Sequence, residues 1–119
     1  MAITVSQLAF SPVKGMRLHA PPEVRLVPRG VDGDRAFLVV DTDNELLLTT
    51  RTPALLQVEP TWEPEGRVLA LRFPDGSVVR DTPTPGAAAT TSMYNGRSMS
   101  GRLVAGPLAE ALSEHLGRT

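Results

Sequence analysis

The chain contains no cysteine in its 119 residues. That excludes a disulfide framework, a thiolate nucleophile and any cysteine-held metal, and it fits a reducing compartment. Charge of one sign is not in excess either. The formal net charge is −1, so no global field draws the molecule to nucleic acid or to an anionic membrane. No apolar run approaches the ~20 residues of a membrane-spanning helix. The opening Met1-Ala2-Ile3-Thr4-Val5 has neither the basic stretch nor the long apolar stretch of a signal peptide, and the expected address is the cytoplasm. Histidine is scarce: His19 and His115 are the only two, which leaves no catalytic triad. His19, beside Ala20-Pro21-Pro22, is expected in a loop. His115 is expected near a helix end, where a cation complements the dipole. Asp32-Gly33-Asp34 and Asp41-Thr42-Asp43-Asn44 carry oxygens but lack the twelve-residue calcium-loop pattern, so they read as turns. No glycine-rich segment matches a nucleotide-binding fingerprint.

What the chain does have is punctuation. Eleven prolines and ten glycines point to many turns, as in an all-β domain. The length suits one domain able to bury a core without staples. Strands are expected at Ile3 to Phe10 with a bulge, Glu23 to Val27, Ala36 to Val40 buried on both faces, Glu45 to Thr50, Gln57 to Glu63, Arg67 to Phe73 and Ser77 to Arg80. Ala88 to Tyr94 and Arg97 to Val104 read as a last hairpin around Asn95-Gly96. Leu69, Leu71 and Phe73 alternate onto one face. Thr52-Pro53-Ala54-Leu55-Leu56 reads as a single helical turn. Pro107 to Leu116, closed by Gly117, reads as a helix with Leu108, Leu112 and Leu116 on one side. The expected fold class is mainly all-β: an antiparallel β-barrel or curled sheet of short strands with one C-terminal α-helix. Residues 1–105 would form the β-body, and 106–117 the helix that closes it or leads onward.

The residues with chemical promise are cations at strand edges. Lys14 leaves the first strand in Ser11-Pro12-Val13-Lys14-Gly15, where its ammonium and a backbone N–H, such as that of Gly15, can meet one ligand oxygen. Arg35 opens the apolar strand after Gly30-Val31-Asp32-Gly33-Asp34, with a planar fork suited to phosphate. Arg51 ends the returning strand, and in an antiparallel hairpin the start of one strand faces the end of its partner. The alternative from the residues alone is that Arg35 pairs with Asp32 or Asp34 and that all three cations are ordinary solvated charges.

Together these motifs carry a resemblance. Leu8-x-x-Ser11-Pro12-Val13-Lys14-Gly15, Gly30-Val31-x-Gly33-Asp34-Arg35, the strand to Val39-Val40-Asp41, Thr50-Arg51-x-Pro53-x-Leu55 and Leu69-x-Leu71-x-Phe73-Pro74 follow the pattern of the MOSC N-terminal β-barrel domain. Gly101 to Arg118 resembles the segment that leads from that barrel into the MOSC domain. The resemblance implies a part in handling molybdenum cofactor (molybdopterin) or transferring its sulfur. Relatives include the amidoxime-reducing component and the C-terminal part of molybdenum cofactor sulfurase. It implies that Lys14 and Arg35, with Gly15 and Arg51 nearby, contact the cofactor's phosphate. It implies a MOSC domain as partner, in cis or in trans; that neither nucleic acid nor membrane is a partner is the expectation from charge and apolar-run length above.

Two departures set the expectation. Gly15-Met16 stands where relatives often carry a polar pair such as Ser-Cys. The molybdenum-ligating cysteine of the family belongs to the downstream domain, and this chain has none. The expectation is therefore an accessory, non-catalytic binding module, excised or naturally separate, that does no bond chemistry itself. The alternative is a stand-alone interaction module docking through its C-terminal helix. An enzyme in its own right comes last, for want of a nucleophile and a His–carboxylate constellation.

Overall fold

The computed structural model describes residues 2–93 and 96–117. Its elements are short. Strands β1 (Leu26–Val27) and β2 (Gly30–Val31) form a small antiparallel pair, with Leu26 opposite Val31. A 3-10 helix (Pro53–Gln57) leads into β3 (Glu59–Glu63), β4 (Val68–Arg72) and β5 (Val78–Asp81), an antiparallel meander with β4 in the middle. Strands β6 (Ala88–Ser92) and β7 (Ser98–Arg102) form a ribbon of their own. Helix α1 (Pro107–Leu116) comes last. The expected fold class holds as antiparallel strands with one C-terminal helix. The described strands form three separate small sheets and do not close into one barrel.

The meander is the best-built part, and its sequence explains it. Alternation sends Leu69, Leu71 and Phe73 to one face, and all three are buried. Trp62 pairs opposite Leu69 on β3 and joins them, with Val58 and Leu55 from the preceding turn. Ala70, on the other face of β4, is buried too. The Pro74-Asp75-Gly76 turn closes because Asp75 Oδ1 accepts from the Ser77 backbone N–H at 2.9 Å and the Ser77 hydroxyl at 2.6 Å. These bonds favour the carboxylate and lower the Asp75 pKa.

Helix α1 begins at Pro107, which needs no intrahelical donor, and ends at Gly117 with φ 67, the left-handed cap that glycine adopts without a Cβ penalty. Leu108 is buried, and Leu112 and Leu116 pack against the same core. Leu112 and Leu116 remain half-buried. His115 does more than complement a dipole: its ring lies 5.3 Å from that of Phe73, and its Nε2 is 3.1 Å from the Ala54 carbonyl oxygen, tying α1 to the 3-10 helix.

The first fifty residues depart from the expected strands, Glu45 to Thr50 included, where Leu46 alone is paired and Thr49-Thr50 is turn. Residues 2–9 form no strand, and Ile3 and Val5 are 98% and 78% exposed. Only Phe10 is paired, in an isolated antiparallel bridge to His19. Of Glu23 to Val27 only Leu26–Val27 is strand. Ala36 to Val40 is not a strand buried on both faces: it is half-exposed backbone carrying two isolated bridges, Val13–Phe37 and Val40–Leu46. The reason is partnership. An apolar run becomes a regular strand only where neighbours on both edges and faces accept it, and this run has a short partner on each side. The polar turn that follows does form, because Asp41 Oδ1 accepts from the N–H groups of Asp43 and Glu45 at 2.8 and 3.0 Å. The Asn95-Gly96 turn falls partly outside the described residues, since Tyr94 and Asn95 are not among them.

His19 is held on both sides. Its N–H and carbonyl exchange bonds of 2.8 and 3.0 Å with Phe10, and the two rings meet edge to face at 5.2 Å. Burial, only partly opposed by the Glu59 charge, lowers its pKa. The unfolded chain therefore takes up this proton more readily than the folded one, so stability is full above about pH 6.5 and declines as pH falls from there through the folded pKa. Urea unfolding midpoints should drop between pH 7.5 and pH 5.5. His19→Gln should flatten that dependence, whereas an unchanged slope in the variant would place its origin elsewhere.

Candidate functional site

The Ser11–Lys14 segment runs parallel to Arg35–Phe37. The Arg35 N–H donates to the Ser11 carbonyl oxygen, the Phe37 N–H to that of Pro12 (3.1 Å), and the Lys14 N–H to that of Phe37 (2.9 Å). Val13 stands opposite Phe37 in this pairing. Asp34 adds a side-chain staple: its Oδ1 accepts the Ser11 N–H at 3.0 Å. The two motifs are therefore joined directly through their backbones.

Each motif is also fixed to the core. Val13 and Met16 are buried on either side of Lys14-Gly15. Gly15 has φ 89, and a Cβ there would meet Thr49 Oγ1 at 3.1 Å. The Thr49 hydroxyl donates to the Gly15 carbonyl oxygen at 3.2 Å, which binds this turn to the segment that follows the Val40–Leu46 bridge. In the other motif, Gly33 has φ 91 and lies against the Trp62 indole, so close that a Cβ would fall 2.4 Å from Trp62 Cδ1. Trp62 is in turn flanked by Phe37 at 5.8 Å and by the Arg67 guanidinium at 5.3 Å.

The cations sit as follows. Lys14 and Gly15 line a concavity of ≈ 340 Å³ with Leu47, Leu48, Thr49 and Thr50. Arg35 borders a second, larger concavity, and Leu47 lines both. Arg35 adopts φ 50, in the left-handed region. Its Nε lies 3.7 Å from Asp34 Oδ2, and its side chain is 75% exposed, so this pair contributes little, ~0–1 kcal/mol. The carboxylate's more consequential contact is to the Ser11 backbone. Arg51 lies in the turn after Thr50, where its N–H donates to the Leu48 carbonyl oxygen at 3.0 Å. It is exposed and lines neither concavity.

Several contributors were not read from the sequence. Thr49 and Thr50 bring hydroxyls beside Lys14, and their place directly before Arg51 was the available signal. Asp34 as a backbone staple and Trp62 as the plate over Gly33 span more than twenty residues, and no local pattern announces them. Among the described residues no group of three or more His, Asp or Glu is placed to hold a metal ion, and no helix is long and apolar enough to cross a membrane.

The family model described as the MOSC N-terminal beta barrel domain matches residues 2–119. Comparison with curated proteins finds no match.

The indole plate generates a prediction. Gly33→Ala should destabilise the fold by roughly 1–3 kcal/mol in urea unfolding, because the added methyl overpacks against Trp62, and it should shift the emission of this single tryptophan. A change within about 0.5 kcal/mol, the range of an ordinary surface substitution, would mean that Trp62 is not seated on this turn.

Proposed function

The chain belongs to the MOSC N-terminal β-barrel family, and on that premise we propose that it is an accessory, non-catalytic module that offers cationic contacts to the phosphate of molybdenum cofactor in a MOSC-type system. The observation that carries this reading is the parallel backbone pairing of Ser11–Lys14 with Arg35–Phe37. Arg35 stands beside Ser11, and Lys14 lies three residues further along. The two cations therefore stand on directly bonded segments, although each lines its own concavity.

The residues fit the phosphate end of such a ligand. The concavity at Lys14 offers an ammonium and the Gly15 backbone, with Thr50 among its lining residues. The Thr49 hydroxyl proton is spent on the Gly15 carbonyl oxygen, so Thr49 braces the turn. An ammonium and a guanidinium each make charge-assisted bonds to phosphate oxygens, and the guanidinium can make two at once. Arg51 contributes positive potential from the adjoining turn. The residues do not fit the metal end, because the chain has no thiolate. The cofactor's molybdenum would supply redox or sulfur-transfer chemistry. This chain's residues would bind and orient the phosphate, and a MOSC domain, in cis or in trans, would provide the rest.

The interaction-module alternative has less support, because the leucines of α1 already pack on the chain's own core.

An amide NMR titration tests the reading, with a pterin phosphate in one arm and inorganic phosphate in the other. The expected result is movement of the Lys14, Gly15 and Arg35 amides in both arms, with weaker binding in the second. Lys14→Ala and Arg35→Ala should each weaken binding about tenfold, as loss of a charge-assisted bond does. Silent amides at millimolar ligand would overturn it.

A further inference from the structure

A carboxylate stands directly beside the arginine of the phosphate reading. Asp34 precedes Arg35, and its Oδ2 lies 3.7 Å from Arg35 Nε. A negative charge this close repels an anion that approaches the guanidinium, while the exposed pair itself adds little. By charge alone, then, Asp34 hinders anion binding. It lines neither concavity, so it presents no group to what they hold.

Its one hydrogen bond across the chain has the opposite effect. Asp34 Oδ1 accepts the Ser11 N–H at 3.0 Å, and the Arg35 N–H donates to the Ser11 carbonyl oxygen. Ser11 is thus held at both of its backbone groups by two consecutive residues. These bonds fix the peptide that leads into Arg35, and the bond from the Phe37 N–H to the Pro12 carbonyl oxygen fixes the chain beyond it. Arg35 itself has φ 50. A residue with a side chain keeps a left-handed backbone only where its surroundings over-determine it. Of the three bonds that do so, only that of Asp34 comes from a side chain.

We propose that Asp34 is a positioning residue for anion binding. Its bond to Ser11 holds the Arg35 backbone so that the guanidinium stays where phosphate meets it, and this gain exceeds the repulsion from its charge. The inference rests on the phosphate reading and names what keeps that site's arginine in place.

The two effects have opposite signs, so substitutions separate them. The probe is inorganic phosphate, followed by amide NMR on the full chain, with each variant's fold checked by urea unfolding. Asp34→Asn keeps an oxygen for the Ser11 N–H and removes the charge. It should bind phosphate as tightly as wild type, or up to about threefold more tightly. Asp34→Ala removes charge and bond together and should bind about fivefold more weakly than wild type. Its Arg35 amide should lose its response while Lys14 and Gly15 keep theirs. In an Arg35→Ala background, Asp34→Ala should weaken binding no further, because the residue acts through the arginine. If Asp34→Ala fails to fold, Asp34→Glu takes its place: it keeps the charge, lengthens the arm and should also bind about fivefold more weakly. No phosphate binding by wild type would overturn the phosphate reading and this inference together. Where wild type binds, three results overturn this inference alone. They are an Asp34→Ala or Asp34→Glu variant no weaker than wild type, an Asp34→Asn variant as weak as Asp34→Ala, or a loss that persists in the Arg35→Ala background.

Discussion

Three main-chain hydrogen bonds between Ser11–Lys14 and Arg35–Phe37 are the constraint on which the rest of the molecule depends. They pair two segments that the chain separates by more than twenty residues. They bring Val13 and Phe37 side by side, and Phe37 then packs against Trp62. Trp62 covers Gly33 and belongs to the central meander. Through this chain of contacts the meander core holds both cationic motifs. The spacing of Lys14 and Arg35 is therefore a property of the backbone, set before any charge acts. The one ion pair beside them, Arg35 with Asp34, is long and exposed. It is too weak to set the geometry.

The elements that could be read in advance are those decided by neighbours in sequence. Alternation at Leu69, Leu71 and Phe73, the Pro74-Asp75-Gly76 turn, the Asp41 turn and the Pro107-to-Gly117 helix each follow from contacts within a few residues, and each formed. Ile3 to Phe10 alternates almost as well, yet only Phe10 is paired. A strand is stabilised by its partner, and alternation records only that one face suits a partner. The same holds for Ala36 to Val40, whose apolar run describes an environment that two isolated bridges do not supply. At the site, the motifs themselves brought Lys14 and Arg35 to notice. What joins them is a non-local parallel pairing with no turn to announce it. Asp34 to Ser11 and Trp62 to Gly33 are equally non-local. Arg51, expected to face Arg35 across the hairpin, lines neither concavity.

The two concavities divide the chain's chemistry. Leu47 lines both, so one buried leucine borders the hollow at Lys14 and the larger, more apolar one. The β6–β7 ribbon pairs only with itself, which leaves room between it, α1 and the 36–40 segment. A ribbon with no third strand beside it is marginal by its own hydrogen bonds and depends on what packs against its face. Its face toward the hollow carries Thr91 and Met99.

Arg35 carries its charge on a left-handed backbone, φ 50. That conformation costs a side-chain-bearing residue about 1 kcal/mol that glycine would not lose. Folding and anion recognition therefore make opposite demands on this one position. A lineage that stopped handling an anion would gain by exchanging the arginine for glycine, while one that kept doing so would retain a residue that the turn itself disfavours. The identity of residue 35 among close relatives is thus a marker of use, separable from the shape of the domain.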